Sequence, residues 1–332
     1  GTSRPAAQQW LDQRGSQCLQ LLPPRTLSSG MMGGPGEAVR LSASTALQAY
    51  VRAVLAVQES LNDGSFLRVP PTLFRAAQVM AELSEDEPRF HVGLTALKED
   101  MEYEVRHPVH SMIFAMALAK RIGLPRQLLV EVGIATALAA SLPDQPTADE
   151  VMELALEMLQ SSRLTLARAR RMLTTFESRA GMDRSGPPHI QLDAPVHLFS
   201  RIAAIAIEFD ILTTTGNGRR GLLADEALQQ MQDDISGRFD HELLRLFAAT
   251  VGRYPLGTAV MLDSGEVAVV VHTRSEPEFA SRPLVRVVRD DRGREIKFGP
   301  LHDLSDDAAT QRITGAVDAE SLGIDTKRVL FG

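Results

Sequence analysis

Apolar residues recur at every third or fourth position through most of the interval from Ser44 to Thr250. The spacing predicts nine helices, over 45–61, 71–84, 109–122, 126–142, 148–160, 164–176, 196–212, 224–235 and 239–251. Their connections are short, so an α bundle is the expected architecture. Proline in a first helical turn loses no hydrogen bond, and Pro108 precedes the pattern Val109, Met112, Ile113, Met116, so a helix is expected to open there. Gly123 is expected to close it before Leu124 and Pro125 lead into the next.

After Gly252 the period shortens from helical to alternating. Thr258–Leu262 and Glu266–His272 flank Asp263-Ser264-Gly265, and Leu284–Arg289 and Arg294–Phe298 flank Asp290-Asp291-Arg292-Gly293. Each reads as a hairpin, giving a small antiparallel β appendage. The polar last thirty or so residues are expected to end in a short helix or an irregular tail. Residues 1–44 are rich in Pro, Gly, Ser and Gln and read as a linker or N-terminal tail of an upstream module. Three segments result: 1–44, a helical domain over 45–251, and the appendage and tail over 252–332.

Composition narrows the function. At 332 residues and 44% hydrophobic the chain buries a large core. The single cysteine, Cys18, excludes an internal disulfide and a thiolate zinc cluster. A formal charge of −7 argues against a general nucleic-acid binder, which needs a surplus of Lys and Arg. Neither a membrane-spanning run nor a secretory leader pattern is present, and the expected location is cytoplasmic.

The chemistry comes into view between Tyr103 and Met112, which contain His107 and His110, and continues through Ala119 to Leu124. This stretch resembles the opening of HD-GYP domains, bacterial metal-dependent phosphodiesterases of cyclic di-GMP. Phe74 to Lys98 is similar to the helix that precedes the family's first metal-binding histidine. Arg201-Ile202 through Phe209-Asp210 to Thr213 is similar to its later Asp-bearing helix, and Tyr254–Gly257 to Ser264–Glu266 to its C-terminal hairpin. The landmarks run in order over roughly 45–300. The resemblance implies a mainly α, HD-type helical bundle with a small C-terminal antiparallel β appendage.

The departures fall on the ligands. Where the family places its adjacent His-Asp pair, this chain has Ala139 and Ala140, after Gly133 to Leu138. Near the family's His-His-Glu and Gly-Tyr-Pro signatures stand Thr175-Phe176-Glu177 and Gly186-Pro187-Pro188. Ile207 occupies the place of a ligand aspartate, and Asp210 matches a different aspartate of the pattern. His107 is then the one family ligand the resemblance places, a vestigial one. Two-metal hydrolysis needs several converging carboxylates and imidazoles, which one imidazole cannot replace. Ala139, Ala140, Phe176 and Ile207 are instead expected to pack together as ordinary core.

Blander readings stand beside the sharp ones. His107 and His110 share a helix face and would suit one metal given outside carboxylates, but a buried, hydrogen-bonded histidine is the expected role. Asp210 is expected to hydrogen-bond beside Thr213 and Thr214. Met112 and Met116 read as core. Arg163, Arg168, Arg170 and Arg171, continuing to Arg179 and Arg184, read as a solvated helix face. Arg219 and Arg220 follow a Gly-rich turn where the family carries basic residues near the dinucleotide phosphates, and guanidinium groups suit such contacts.

The resulting expectation is a non-catalytic signalling or scaffolding protein without metal or other cofactor. Its candidate partners are cyclic di-GMP held by Arg219 and Arg220, a protein of second-messenger signalling, and a second copy of the chain. Nucleic acid and membrane are not expected partners. The rivals are a weakly active phosphodiesterase with an altered metal site and a pure protein-interaction module.

Overall fold

The computed structural model describes residues 35–62, 69–86, 92–96, 102–143, 146–160, 165–187, 189, 194–215, 220–234, 237–273, 279, 281–297, 299–306 and 309–331. Each of the nine predicted helices is present among them. In chain order they are α1 (Pro35–Asn62), α2 (Pro71–Asp86), α3 (Tyr103–Arg121), α4 (Arg126–Ala140), α5 (Ala148–Gln160), α6 (Leu166–Glu177), α7 (Leu198–Thr213), α8 (Ala224–Gln232) and α9 (His241–Val251). A single 3-10 turn, Leu94–Ala96, lies between α2 and α3. Helix α1 starts at Pro35, upstream of the expected edge at 45.

The expectation that Pro108 opens a helix is corrected. Helix α3 begins at Tyr103, so Pro108 sits in its second turn, where its missing N–H leaves the Glu104 carbonyl without the usual partner. The far end behaves as expected. Gly123 is left-handed, with φ 81°. Its N–H donates to the Lys120 carbonyl at 2.9 Å and that of Leu124 to Ala119 at 3.0 Å, the paired bonds of a Schellman motif.

Helices α3, α4 and α7 form the centre. Every residue from Val105 to Ala119 in α3 is buried, as is every residue from Val132 to Ala140 in α4. Helix α3 packs on α1, α4, α7 and α9, while α4 packs on α2, α6 and α7. The α3–α4 approach requires Gly133, because a Cβ there would lie 2.7 Å from Met116 Sδ. Phe114, Phe209 and Phe247 join α3, α7 and α9 through edge-to-face contacts with centroids 5.0 to 5.9 Å apart. Asp240 caps α9 by accepting from the Glu242 and Leu243 N–H groups, and pairs with Arg201 of α7 at 2.8 Å.

The C-terminal part is a five-stranded antiparallel sheet of order β4-β3-β2-β1-β5. Its strands are β1 (Ala259–Leu262), β2 (Val267–His272), β3 (Leu284–Arg289), β4 (Leu301–Asp303) and β5 (Ile313–Val317). The first hairpin is as predicted, turning at Gly265 with φ 84°. The second is corrected: after its turn the returning chain makes one isolated bridge, Arg289 to Glu295, and the regular strand forms only at Leu301. Between them Gly299 passes so close to β3 that a Cβ would lie 1.9 Å from the Val287 carbonyl oxygen.

The tail ends in a short helix, one of the two expected forms, and adds a strand that was not expected; the sheet explains its order. Val260, Leu262, Ala268, Val270, Val285 and Val287 build one apolar face with Tyr254 and Leu304. The alternate residues Ala259, Val267, Val269 and Val288 leave a second apolar face, which must also leave water. Leu322, Ile324 and a last helix, α10 (Thr326–Phe331), cover it, while β5 extends the sheet beside β1. No helix among the described residues is long and apolar enough to cross a membrane.

Candidate functional site

The side chains with the richest chemistry meet where α1, α3 and α7 touch. His107 and His110 lie one turn apart and present one face of α3 to α7, as residues three apart do. Asp210 of α7 receives both. His107 Nδ1 lies 2.7 Å from Asp210 Oδ2, and His110 Nδ1 3.1 Å from Asp210 Oδ1. The Thr214 hydroxyl donates to the same Oδ1 at 3.1 Å. On the other side of His110, Nε2 lies 2.9 Å from the Tyr50 hydroxyl of α1. The Tyr103 ring stacks on His107 with centroids 5.0 Å apart. Arg106, alongside, donates to the Thr215 carbonyl.

Tyr50, His107, His110 and Asp210 are all buried. Burial pushes the Asp210 carboxyl up, but the His110 charge and the hydrogen bonds from His107 and His110 outweigh it and hold the group well below the usual carboxylate range. An ionised carboxylate only accepts, so each histidine donates through Nδ1. Burial, then the Asp210 charge, pushes the Tyr50 phenol well above its ordinary value. It therefore stays protonated, and its oxygen accepts from His110 Nε2–H when His110 carries the charge that steadies the Asp210 carboxylate. One ring atom is left over: His107 Nε2 is buried with no hydrogen-bond partner.

The positions where the resemblance expects ligands have a different character. Ala139 and Ala140 at the end of α4 form a closed cluster with Ala203, Ile207 and Ile211, a row along one side of α7. Phe176, expected in that packing, is only half-buried and lies outside the cluster. Alkyl groups offer a metal no lone pair, and the two histidines turn Nδ1 onto Asp210 instead of onto a shared ion. This donor set does not fit a two-metal centre. Among the described residues, no group of three or more His, Cys, Asp or Glu is arranged to hold a metal ion.

Glu177 has become a structural clasp. Its Oε2 accepts from the His197 N–H and the Ser200 hydroxyl, both at 2.9 Å, so it anchors the start of α7. Its Oε1 pairs with Arg184 at 3.2 Å, which also donates to the Ala194 carbonyl. Gly186 is pressed against the Arg179 carbonyl, where a Cβ would lie at 2.0 Å. Pro188 lies outside the described residues.

The basic residues divide. Arg170 pairs with Glu131 at 2.5 Å and lies over the Phe199 ring. Arg179 is buried, and Arg168 and Arg171 line a groove against α2, so the solvated-face reading is corrected for this stretch. Arg163 and Arg219 lie outside the described residues. Arg220 is exposed and pairs with Asp318, beyond β5. The structure thus brings His107, His110 and Asp210 together, while Arg220 turns its guanidinium to Asp318. Sequence reasoning missed Tyr50 altogether: its partner lies 60 residues away, beyond any local pattern.

The fold and site together define an HD-type helical protein. Bd1817, an HDG"Y"P protein from Bdellovibrio bacteriovorus, shares the fold with a TM-score of 0.52 at 10% identity, over 73% of this chain and 78% of that one. By sequence, the chain is 27% identical over 264 residues to the cyclic di-GMP phosphodiesterase PA4108 of Pseudomonas aeruginosa, covering 74% of this chain. It spans 63% of that relative's length. No family model matches the chain. The sequence relative and the shared fold make this protein a relative of the HD-GYP proteins.

Proposed function

We propose that this protein is a non-catalytic signalling or scaffolding relative of the cyclic di-GMP phosphodiesterases, a pseudoenzyme whose metal site has been replaced by core. The observation that carries this reading is the buried cluster of Ala139, Ala140 and Ile207 with Ala203 and Ile211, on the positions where the resemblance expects ligands. The Asp210 network supports it, because each carboxylate oxygen already has a histidine donor. What the fold retains under this reading is a surface for partners. Arg219 and Arg220 are the proposed contacts for cyclic di-GMP, since cationic side chains must meet phosphates that metals no longer neutralise.

A second reading, a weakly active phosphodiesterase with an altered metal site, draws on the unpartnered His107 Nε2. Metal analysis of the purified protein, together with a cyclic di-GMP hydrolysis assay with and without added iron or manganese, separates the two. The pseudoenzyme reading expects no stoichiometric metal and no turnover above a blank. Two tightly held metals per chain, or turnover that disappears in His107→Ala, would replace it with the enzyme reading.

A further inference from the structure

We propose that the groove between α2 and α6 is a binding site for a nucleotide, a small phosphate ester carrying a planar base, separate from both the Asp210 network and the Arg220 loop. The groove is open, with a volume of about 600 Å³, within the size range of small-molecule sites. Phe74, Arg75 and Gln78 line it from α2, and Arg168 and Arg171 from α6. Residues three and four apart share a helix face, so each helix aims its contribution the same way.

Three guanidinium groups line one groove on a chain whose net charge is −7. Two acids of the surrounding helices pair elsewhere: Glu131 with Arg170, and Glu82, one turn beyond Gln78, with Arg126. Arg171 is half-buried, and its Nε is buried with no hydrogen-bond partner. Burial first, and the neighbouring Arg168 charge as well, work against its protonated form, while Glu131 supports it. An anion seated between the guanidiniums relieves that repulsion and accepts from the orphaned N–H. Phosphate oxygens match the forked donors of arginine.

The apolar wall specifies the rest of the ligand. Phe74 is one of five large hydrophobic side chains left exposed among the described residues, at 38%, and it stands beside Arg75. An aromatic face next to a cation is a stacking platform for a base. Gln78 offers both a donor and an acceptor to a base edge. The Glu131 charge acts on Arg171, and Glu131 lies about 12 Å along α4 from Ala139 at the usual rise per residue. None of the groove-lining residues is among Ala139, Ala140, Ile207 and His107.

The test is calorimetry on the full chain at low salt with GMP, guanosine and pyrophosphate as separate probes. GMP should bind, weakening as salt rises, and guanosine should not. Arg75→Gln and Arg171→Gln should each weaken GMP at least tenfold, and Phe74→Ala should weaken GMP while leaving pyrophosphate unchanged. Arg220→Ala should have no effect. Circular dichroism melts confirm that each variant is folded; should Arg171→Gln unfold, the exposed Arg75→Gln decides. Absence of GMP binding, binding indifferent to the groove variants, or binding lost in Arg220→Ala would each overturn the assignment. So would groove-dependent binding of an acidic peptide that excludes GMP.

Discussion

His107 Nδ1 and Asp210 Oδ2 stand 2.7 Å apart in the centre of the bundle although 103 residues separate them in the chain. The contact ties α3 to α7 by a charge-assisted bond in a site without water-exposed edges, where an unpaired carboxylate would be strongly unfavourable. It also commits the imidazole. A histidine whose Nδ1 is held by Asp210 has one nitrogen left for anything else, and the alkyl groups at 139, 140 and 207 supply no ligand atom. Apart from His107 Nε2, the arrangement is self-sufficient, as a structural network is.

That self-sufficiency has a pH signature. The Asp210 pKa is depressed in the fold, so its ionised form contributes stability above its unfolded value of about 3.9, and the contribution is lost as pH falls toward the folded value. Melting curves between pH 2 and 7 should show a steep decline below about pH 4. Asp210→Asn should lower stability by about 3 kcal/mol at neutral pH, because it strands two buried histidines. It should also flatten the acid limb. An equally steep limb in the variant would assign the acid sensitivity to other carboxylates.

Tyr50 holds the outer end of the same network. Tyr50→Phe keeps the ring and removes only the hydroxyl that lies 2.9 Å from His110 Nε2. A buried ring nitrogen without its partner costs about 1–3 kcal/mol, read as a lower denaturant midpoint at unchanged slope. Combining it with Asp210→Asn should be clearly non-additive, since both act on His110. Strict additivity would mean that the chain of bonds is not one unit.

The helices were legible because periodicity is local. Apolar spacing in α3, α4 and α7 is strong enough to mark each, and Gly123 marks a boundary by its conformation alone. Pro108 misled because a proline tolerated inside a helix reads the same as one that starts it. Strand β5 and the order of the tail were hidden for another reason: Ile313–Val317 is a weak strand by itself and forms by pairing along β1, while the tail after it folds because Val267 and Val269 need cover from Ile324 and Val329. The apolar residues at 139, 140 and 207 were visible as residue types, and those three do pack together, without Phe176. The Asp210 network was not visible as a unit, since Tyr50, His110 and Asp210 are joined only by the fold.

Introducing a His-Asp pair at 139 and 140 tests the proposed loss of the metal site and how closed this packing is. Ala139 and Ala140 are buried in contact with Ala203, Ile207 and Ile211. Ala139→His with Ala140→Asp forces two larger polar groups into that space without the remaining ligands. The expected loss is about 3 kcal/mol or more, from overpacking and from an unpaired buried carboxyl that must stay protonated. Hydrolysis of cyclic di-GMP should not appear. A melting temperature equal to wild type would reveal an open, hydrated space instead of packed core.

The Arg219 and Arg220 loop decides between receptor and scaffold, and the structure adds a control. Arg220 is exposed and pairs with Asp318, so a phosphate reaching this guanidinium competes with a carboxylate already there. Exposed pairs of this kind contribute about 0.2–1 kcal/mol, so breaking one should barely change stability. If Arg220 holds cyclic di-GMP, Asp318→Asn should therefore tighten binding by up to several-fold, because the competing charge is gone. Arg219→Ala with Arg220→Ala should abolish binding at the same melting temperature, and wild-type affinity should fall as salt screens the contact. Titration of cyclic di-GMP at low and moderate salt reads all three. Binding that ignores both Asp318→Asn and the double alanine variant would move the nucleotide elsewhere on the protein. No heat of binding at low salt would leave the interaction scaffold as the function of this fold.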